Sequence, residues 1–73
     1  MKNHWITQAL IRHLRRIAFI ALLNHQARHT FCPDDVELQI ERYIEQELAT
    51  LDSDEDKISW CKVVIREANE QSE

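Results

Sequence analysis

The chain has 73 residues, a formal net charge of −4 and no glycine, and its single proline is Pro33. This composition argues against phosphate-cradling loops, dinucleotide folds and tight hairpins, all of which depend on glycine. Hydrophobic residues make up 44% and charged residues 30%, proportions typical of a globular chain rather than a disordered one. We therefore predict one all-α domain over residues 1–73, with a core so small that a partner chain is an expected source of stability.

The first predicted helix covers residues 3–29, which contain no helix breaker. One face carries apolar residues at steps of three and four: Ile6, Leu10, Leu14, Ile17 and Ala21. A second apolar strip beside it consists of Ile11, Ala18 and Leu22. Between residues 17 and 23 the helix is apolar nearly all round, which is more surface than two shorter helices easily cover. We therefore predict a three-helix bundle with a long central first helix that forms a homodimer or docks on another protein.

The same apolar run is too short to span a bilayer, which needs about 20 residues. It also lacks a small-residue cleavage site, so we expect no secretory signal. A helix that lies on an anionic membrane is an alternative, but the other two helices need its apolar face as core. With two cysteines, a reducing cytoplasm is the predicted location.

The second predicted helix covers residues 33–51, because proline suits the first helical position and acids suit the first turn. Its apolar stripe consists of Val36, Ile40, Tyr43, Ile44, Leu48 and Leu51. Glu47 falls inside this stripe. It is expected either to pair with a cation or to bend outward into water. The candidate cations are His13, Arg12 and Arg16.

The third predicted helix covers residues 53–69. Ser53 and Asp56 have the spacing of a capping box, and so have Asp52 and Glu55. One face carries Ile58, Cys61, Ile65 and Ala68, with Trp60 and Val64 adjoining it. The tail, residues 70–73, is expected to fray.

Charge is strongly segregated along the chain. Five of the nine Lys and Arg residues and all four His residues precede residue 31, where there is no acid. The rest of the chain carries all 13 acids against four Lys or Arg residues. The first helix is therefore basic and the other two are acidic.

Two interpretations of the basic helix are possible. Its arginines form a phosphate-binding stripe in a dimeric nucleic-acid regulator, with Trp5 stacking on a base, or they pair with acids of this chain or of a partner protein. The arginines concerned are Arg12, Arg15, Arg16 and Arg28. The net charge of −4 repels a polyanion and favours the second interpretation.

His25, His29 and Cys32 follow each other at steps of four and three, as in half of a zinc site. Cys61 is the only cysteine left to complete it or to form a disulfide with Cys32, and it belongs to an apolar stripe, where cysteine usually packs as core. Cys32 lies where a helix dipole lowers a thiol pKa, yet no orienting base accompanies it. We therefore predict no cofactor, no small-molecule substrate and no enzymatic activity.

The predicted function is that of a small interaction module, an adaptor, inhibitor or regulator that binds a larger protein. Acidic helix faces would steer a basic target, and exposed apolar side chains would anchor it. The residues predicted to bind the partner are Trp5, Phe19, Leu23, Trp60, Glu41 and Glu45.

Overall fold

The computed structural model describes residues 4–29 and 34–70. They form three helices, α1 (His4–His29), α2 (Val36–Ala49) and α3 (Asp54–Glu70), and no strand lies within the described ranges. The predicted all-α, three-helix arrangement is confirmed. α1 contacts both of the other helices and packs more extensively on α3 than on α2.

The core forms where the three helices meet around small side chains. Ala18 of α1 and Cys61 of α3 have no exposed surface, and Ile44 of α2 is the largest of the side chains that are almost fully buried. Because alanine and cysteine are short, α1 and α3 approach each other closely at this point. The predicted stripe of α2 supplies most of the remaining core: Val36, Ile40 and Leu48.

The face of α1 that enters the core corresponds mainly to the second predicted strip, because Ile11 and Ala18 are buried and Leu22 packs against the core. The buried residues of α1 are Ile11, Ala18 and Ala21, whereas Ile6 and Leu10 are exposed. Both neighbouring helices lie on the side of α1 that carries Ala18. α1 has more apolar circumference than they cover, so one aliphatic row stays outside.

α2 begins at Val36, three residues later than predicted, and Asp34 and Asp35 form a turn before it. Asp35 is the N-cap residue: its carbonyl accepts the first helical hydrogen bond from the Gln39 N–H at 3.0 Å. The side-chain amide of Gln39 also donates to Asp35 Oδ1, at 3.0 Å. The Asp35 side chain accepts no hydrogen bond from a backbone N–H of the first turn and is bonded instead to the Gln39 side chain. Pro33 lies outside the described residues.

α2 also ends earlier than predicted, at Ala49. The Thr50 N–H and the Thr50 hydroxyl both donate to the Glu47 carbonyl, at 3.2 and 2.7 Å. The Leu51 N–H donates to the Leu48 carbonyl at 3.1 Å. Such bonds three residues back tighten and close the last turn. Leu51 therefore lies outside the helix, although it still packs against the core.

α3 begins at Asp54, directly after the predicted cap. The Asp56 N–H donates to Ser53 Oγ at 3.1 Å, and the Lys57 N–H donates to the Ser53 carbonyl at 3.2 Å. The prediction that Ser53 caps the helix is confirmed. Glu70, which was assigned to the frayed tail, is helical; residues 71–73 lie outside the described ranges.

Replacing Ser53 by alanine removes this cap, so we expect Ser53→Ala to lower the free energy of unfolding by about 1 kcal/mol. The measurement is urea denaturation followed by circular dichroism. Ser59→Ala is the matched control, because Ser59 is exposed within α3 and alanine favours helix interiors. Equal losses in the two variants would contradict the assigned cap.

Candidate partner-binding surface

An aliphatic row runs along the outer side of α1. Ile6, Leu10 and Ile20 are 45%, 42% and 48% exposed, and Ile17 is half-buried. Together with the exposed His13, these residues follow each other at steps of four and three, the spacing of the apolar positions in a coiled-coil heptad. We call Ile6, Leu10, His13, Ile17 and Ile20 the α1 stripe.

The orientation of the α1 stripe follows from helix geometry. Successive residues of an α-helix are about 100° apart, so Ile20 lies about 200° around the axis from Ala18. Ala18 marks the side that α2 and α3 cover, since it is fully buried in the core cluster. Ile20 is therefore nearly opposite the covered side of α1, whereas Leu10 and Ile17 lie about 80° and 100° from Ala18, at the margin of that side.

A cavity of about 680 Å³ opens beside the stripe, between α1 and α2. We call it the arginine cavity. α1 lines it with Arg12, His13, Arg15, Arg16 and Phe19, and α2 lines it with Glu41 and Ile44. Its floor is thus partly apolar, its rim is mainly cationic, and His13 belongs to both the cavity and the stripe.

The three arginines of the cavity have different partners. Arg15 Nη2 donates to Glu45 Oε2 at 2.9 Å, and the two side chains are 41% and 65% exposed. Such an exposed pair contributes about 0.2–1 kcal/mol and mainly fixes the register of α1 against α2. Arg12 and Arg16 are exposed and form no ion pair with any described residue.

The structure brings together only part of the predicted arginine set. Arg12, Arg15 and Arg16 line one cavity, whereas Arg28 is exposed near the end of α1, about 18 Å along the helix from Arg16 at 1.5 Å per residue. The four arginines therefore do not form one continuous stripe.

The predicted aromatic and aliphatic anchors differ in how exposed they are. Trp5 is 72% exposed, as expected. Phe19, Leu23 and Trp60 are only partly exposed because they pack against the core, and the Trp60 ring lies 6.0 Å from the Tyr43 ring. Ile6 and Leu10, which the hydrophobic periodicity places in the core, are instead exposed, as is Ile20, which was not among the predicted anchors. The heptad spacing of the α1 stripe is the sequence signal that groups these three residues.

The acids of α2 face the arginines of their own chain. Glu45 binds Arg15, and Glu41 lines the same cavity. They neutralise part of the basic helix, whereas they were predicted to steer a basic target. Glu47 is half-buried, and within the described ranges it forms no ion pair with His13, Arg12 or Arg16. The proposed Glu47 pair is therefore not formed.

The thiol of Cys61 is a buried packing group of the core rather than a reactive group. Burial raises the pKa of Cys61, and the nearby Arg15 partly opposes that shift. The thiol is therefore held protonated at neutral pH. Of the zinc candidates, Cys32 and the side chain of His29 lie outside the described residues, and His25 is half-buried. Among the described side chains, no three or more His, Cys, Asp or Glu residues are grouped to hold a metal.

Within residues 4–29 and 34–70, no helix combines the length and the apolar character needed to cross a bilayer. In comparisons with protein-family models, curated proteins and solved structures, nothing matches the chain. The α1 stripe and the arginine cavity are therefore the features of the molecule that bear on its function.

The raised pKa of Cys61 has a consequence for alkaline stability. A thiol whose pKa is higher in the folded state stabilises the fold below its unfolded pKa, about 8.5, and this contribution is lost as pH rises through the folded pKa. We expect the native chain to lose more free energy of unfolding than Cys61→Ala between about pH 7 and pH 10. Urea denaturation at a series of pH values measures this, and parallel curves for the two chains would contradict it.

Proposed function

We propose that this chain is a small non-enzymatic interaction module that binds a helix of a larger protein through the α1 stripe. The observation that carries the proposal is the stripe itself. It consists of four large aliphatic side chains and His13 at heptad spacing, and Ile6, Leu10 and Ile20 are between 42% and 48% exposed. An adaptor, inhibitor or regulator needs only such a surface and no reacting groups.

Burial of the α1 stripe against a partner would make a favourable contribution to the free energy of binding. A fully buried Leu or Ile side chain contributes about 1.5–3 kcal/mol, so each of the roughly half-exposed aliphatic residues has on the order of 1 kcal/mol still to gain. Ile6, Leu10 and Ile20 together offer a few kcal/mol before the cost of ordering two molecules. Trp5, 72% exposed on the same helix, adds aromatic area.

The spacing of the stripe favours a helix as the complementary element. Apolar residues that alternate at steps of four and three form a straight seam into which the side chains of a second helix insert. A strand or a flat loop has no matching period. The 26 residues of α1 provide an extended platform for such a helix.

A dimeric nucleic-acid regulator is the second candidate. It is favoured by one observation, the presence of Arg12, Arg15 and Arg16 around a single cavity. Phosphate binding falls steeply as salt concentration rises, because it releases counterions. An apolar complex changes little with salt, so a salt titration separates the two candidates.

The test of the proposed function compares two charge insertions at equal exposure. Ile20 on the stripe is 48% exposed and Leu38 on α2 is 47% exposed. We expect Ile20→Glu to abolish the proteins retained by the tagged chain from a nuclease-treated lysate, whereas Leu38→Glu retains them, because only the first change puts a carboxylate into the seam. Circular dichroism checks that both variants remain folded.

Equal retention by both variants, or equal loss, would contradict the proposal. Light scattering on the purified chains tests for the homodimer that the sequence predicts. A doubled mass that Ile20→Glu halves, with no other protein retained, would identify a second copy rather than a foreign helix as the occupant.

A further inference from the structure

We infer that the occupant of the α1 stripe is an amphipathic helix with acidic residues along the side that faces the arginine cavity. The inference rests on the proposed function, since it names the partner of the same surface. Its independent support is the charge and exposure of the residues that flank the stripe.

The two flanks of the stripe are unlike each other. In a heptad, the positions directly beside the apolar seam carry the charges that select a partner. On one side these positions are Thr7, Leu14 and Ala21, which are buried or half-buried. On the other side they are Ala9, Arg16 and Leu23, of which only Arg16 is exposed, and it lines the arginine cavity. The charge directly beside the stripe is therefore the cation of Arg16.

The cations on this flank are available to a partner. Arg15 is bound to Glu45, whereas Arg12 and Arg16 are exposed and make no ion pair within the described ranges. The planar guanidinium of arginine matches a carboxylate through two parallel hydrogen bonds. Carboxylates spaced one turn apart on a bound helix would meet Arg12 and Arg16, which are themselves one turn apart.

The same charges disfavour a second copy of the chain in this position. Residues 4–29 contain arginines and no acid. Two copies paired through their α1 stripes would place these arginines near each other with no carboxylate on either helix to separate them. Like charges across an interface oppose association.

The cavity also disfavours nucleic acid. Glu45 is bonded to Arg15, so Arg12 and Arg16 are the arginines of the cavity left to meet an anion, which suits two carboxylates of a helix better than a continuous row of phosphates. The apolar floor of Phe19 and Ile44 suits a side chain from a protein partner.

The experiment uses defined probes and the full chain. Two synthetic helical peptides of about three heptads carry Leu and Ile at the seam positions and differ only in having Glu or Lys beside them. A single-stranded oligonucleotide of equal negative charge is the third probe. Binding is measured by calorimetry to the native chain, Arg16→Glu, Arg28→Glu and Ile20→Glu.

We expect the native chain to bind the Glu peptide at least about tenfold more tightly than the Lys peptide. Arg16→Glu is expected to reverse that preference. Arg28→Glu, which makes the same change of charge at an exposed site away from the cavity, is expected to keep it. Ile20→Glu is expected to abolish binding of both peptides, because it disrupts the seam.

The outcomes separate this inference from the proposed function. Equal binding of both peptides, with loss in Ile20→Glu, would overturn the acidic partner and leave the stripe as a binding surface. If neither peptide binds although Ile20→Glu still loses the lysate proteins, the acidic partner is likewise overturned and the stripe remains a binding surface. If Ile20→Glu changes neither peptide binding nor lysate capture, the proposed function itself fails. Tighter binding of the oligonucleotide than of the Glu peptide, lost in Arg16→Glu, would assign the cavity to nucleic acid.

Discussion

The structure depends on one close contact, in which Ala18 of α1, Ile44 of α2 and Cys61 of α3 meet in a single buried cluster. Small side chains from α1 and α3 meet the larger Ile44 here, and the aliphatic residues Val36, Ile40 and Leu48 of α2 complete the cluster. This contact fixes the rotation of α1 about its own axis. With Ala18 pointing inward, Ile20 lies nearly opposite it and is exposed, whereas Ile17, about 100° from Ala18, is half-buried.

The rotation of α1 also explains which parts of the structure the sequence predicts. The three helices, the cap at Ser53 and four residues of the predicted α2 stripe follow from local pattern and are confirmed, whereas Tyr43 of that stripe is 46% exposed. The core face of α1 does not follow in the same way. Hydrophobic periodicity gives large aliphatic residues the most weight, whereas the covered face of α1 contains the short side chains of Ala18 and Ala21. Helix crossing geometry decides between the two faces, and a single sequence does not specify it.

In the candidate site, too, some features follow from the local sequence and others only from the packing of one helix on another. Arg12, Arg15 and Arg16 fall within five consecutive residues, so their shared position on α1 is readable from the chain. That Glu41 and Glu45 lie opposite them is a matter of register between α1 and α2. Glu41 and Glu45 are predicted from the sequence to face a basic partner, and the structure places Glu45 on Arg15 and Glu41 in the same cavity. Conversely, Ile6 and Leu10 were assigned to the core when they are exposed.

The segregation of charge along the chain therefore affects both the packing of α1 against α2 and the charge of the exposed surface. Within the fold, the acidic α2 lies against the basic α1, and the Arg15–Glu45 pair holds the two helices in register. That pair uses one arginine of the cavity and leaves Arg12 and Arg16 exposed beside the aliphatic stripe. A domain of this size has little stability in reserve, and a partner that binds only the folded state adds to it by mass action. The exposed seam reduces the stability of the isolated domain, because its aliphatic residues contribute little to the core. Under the proposed function, a helix that covers the seam would recover that burial, and the two remaining arginines would select among partner helices.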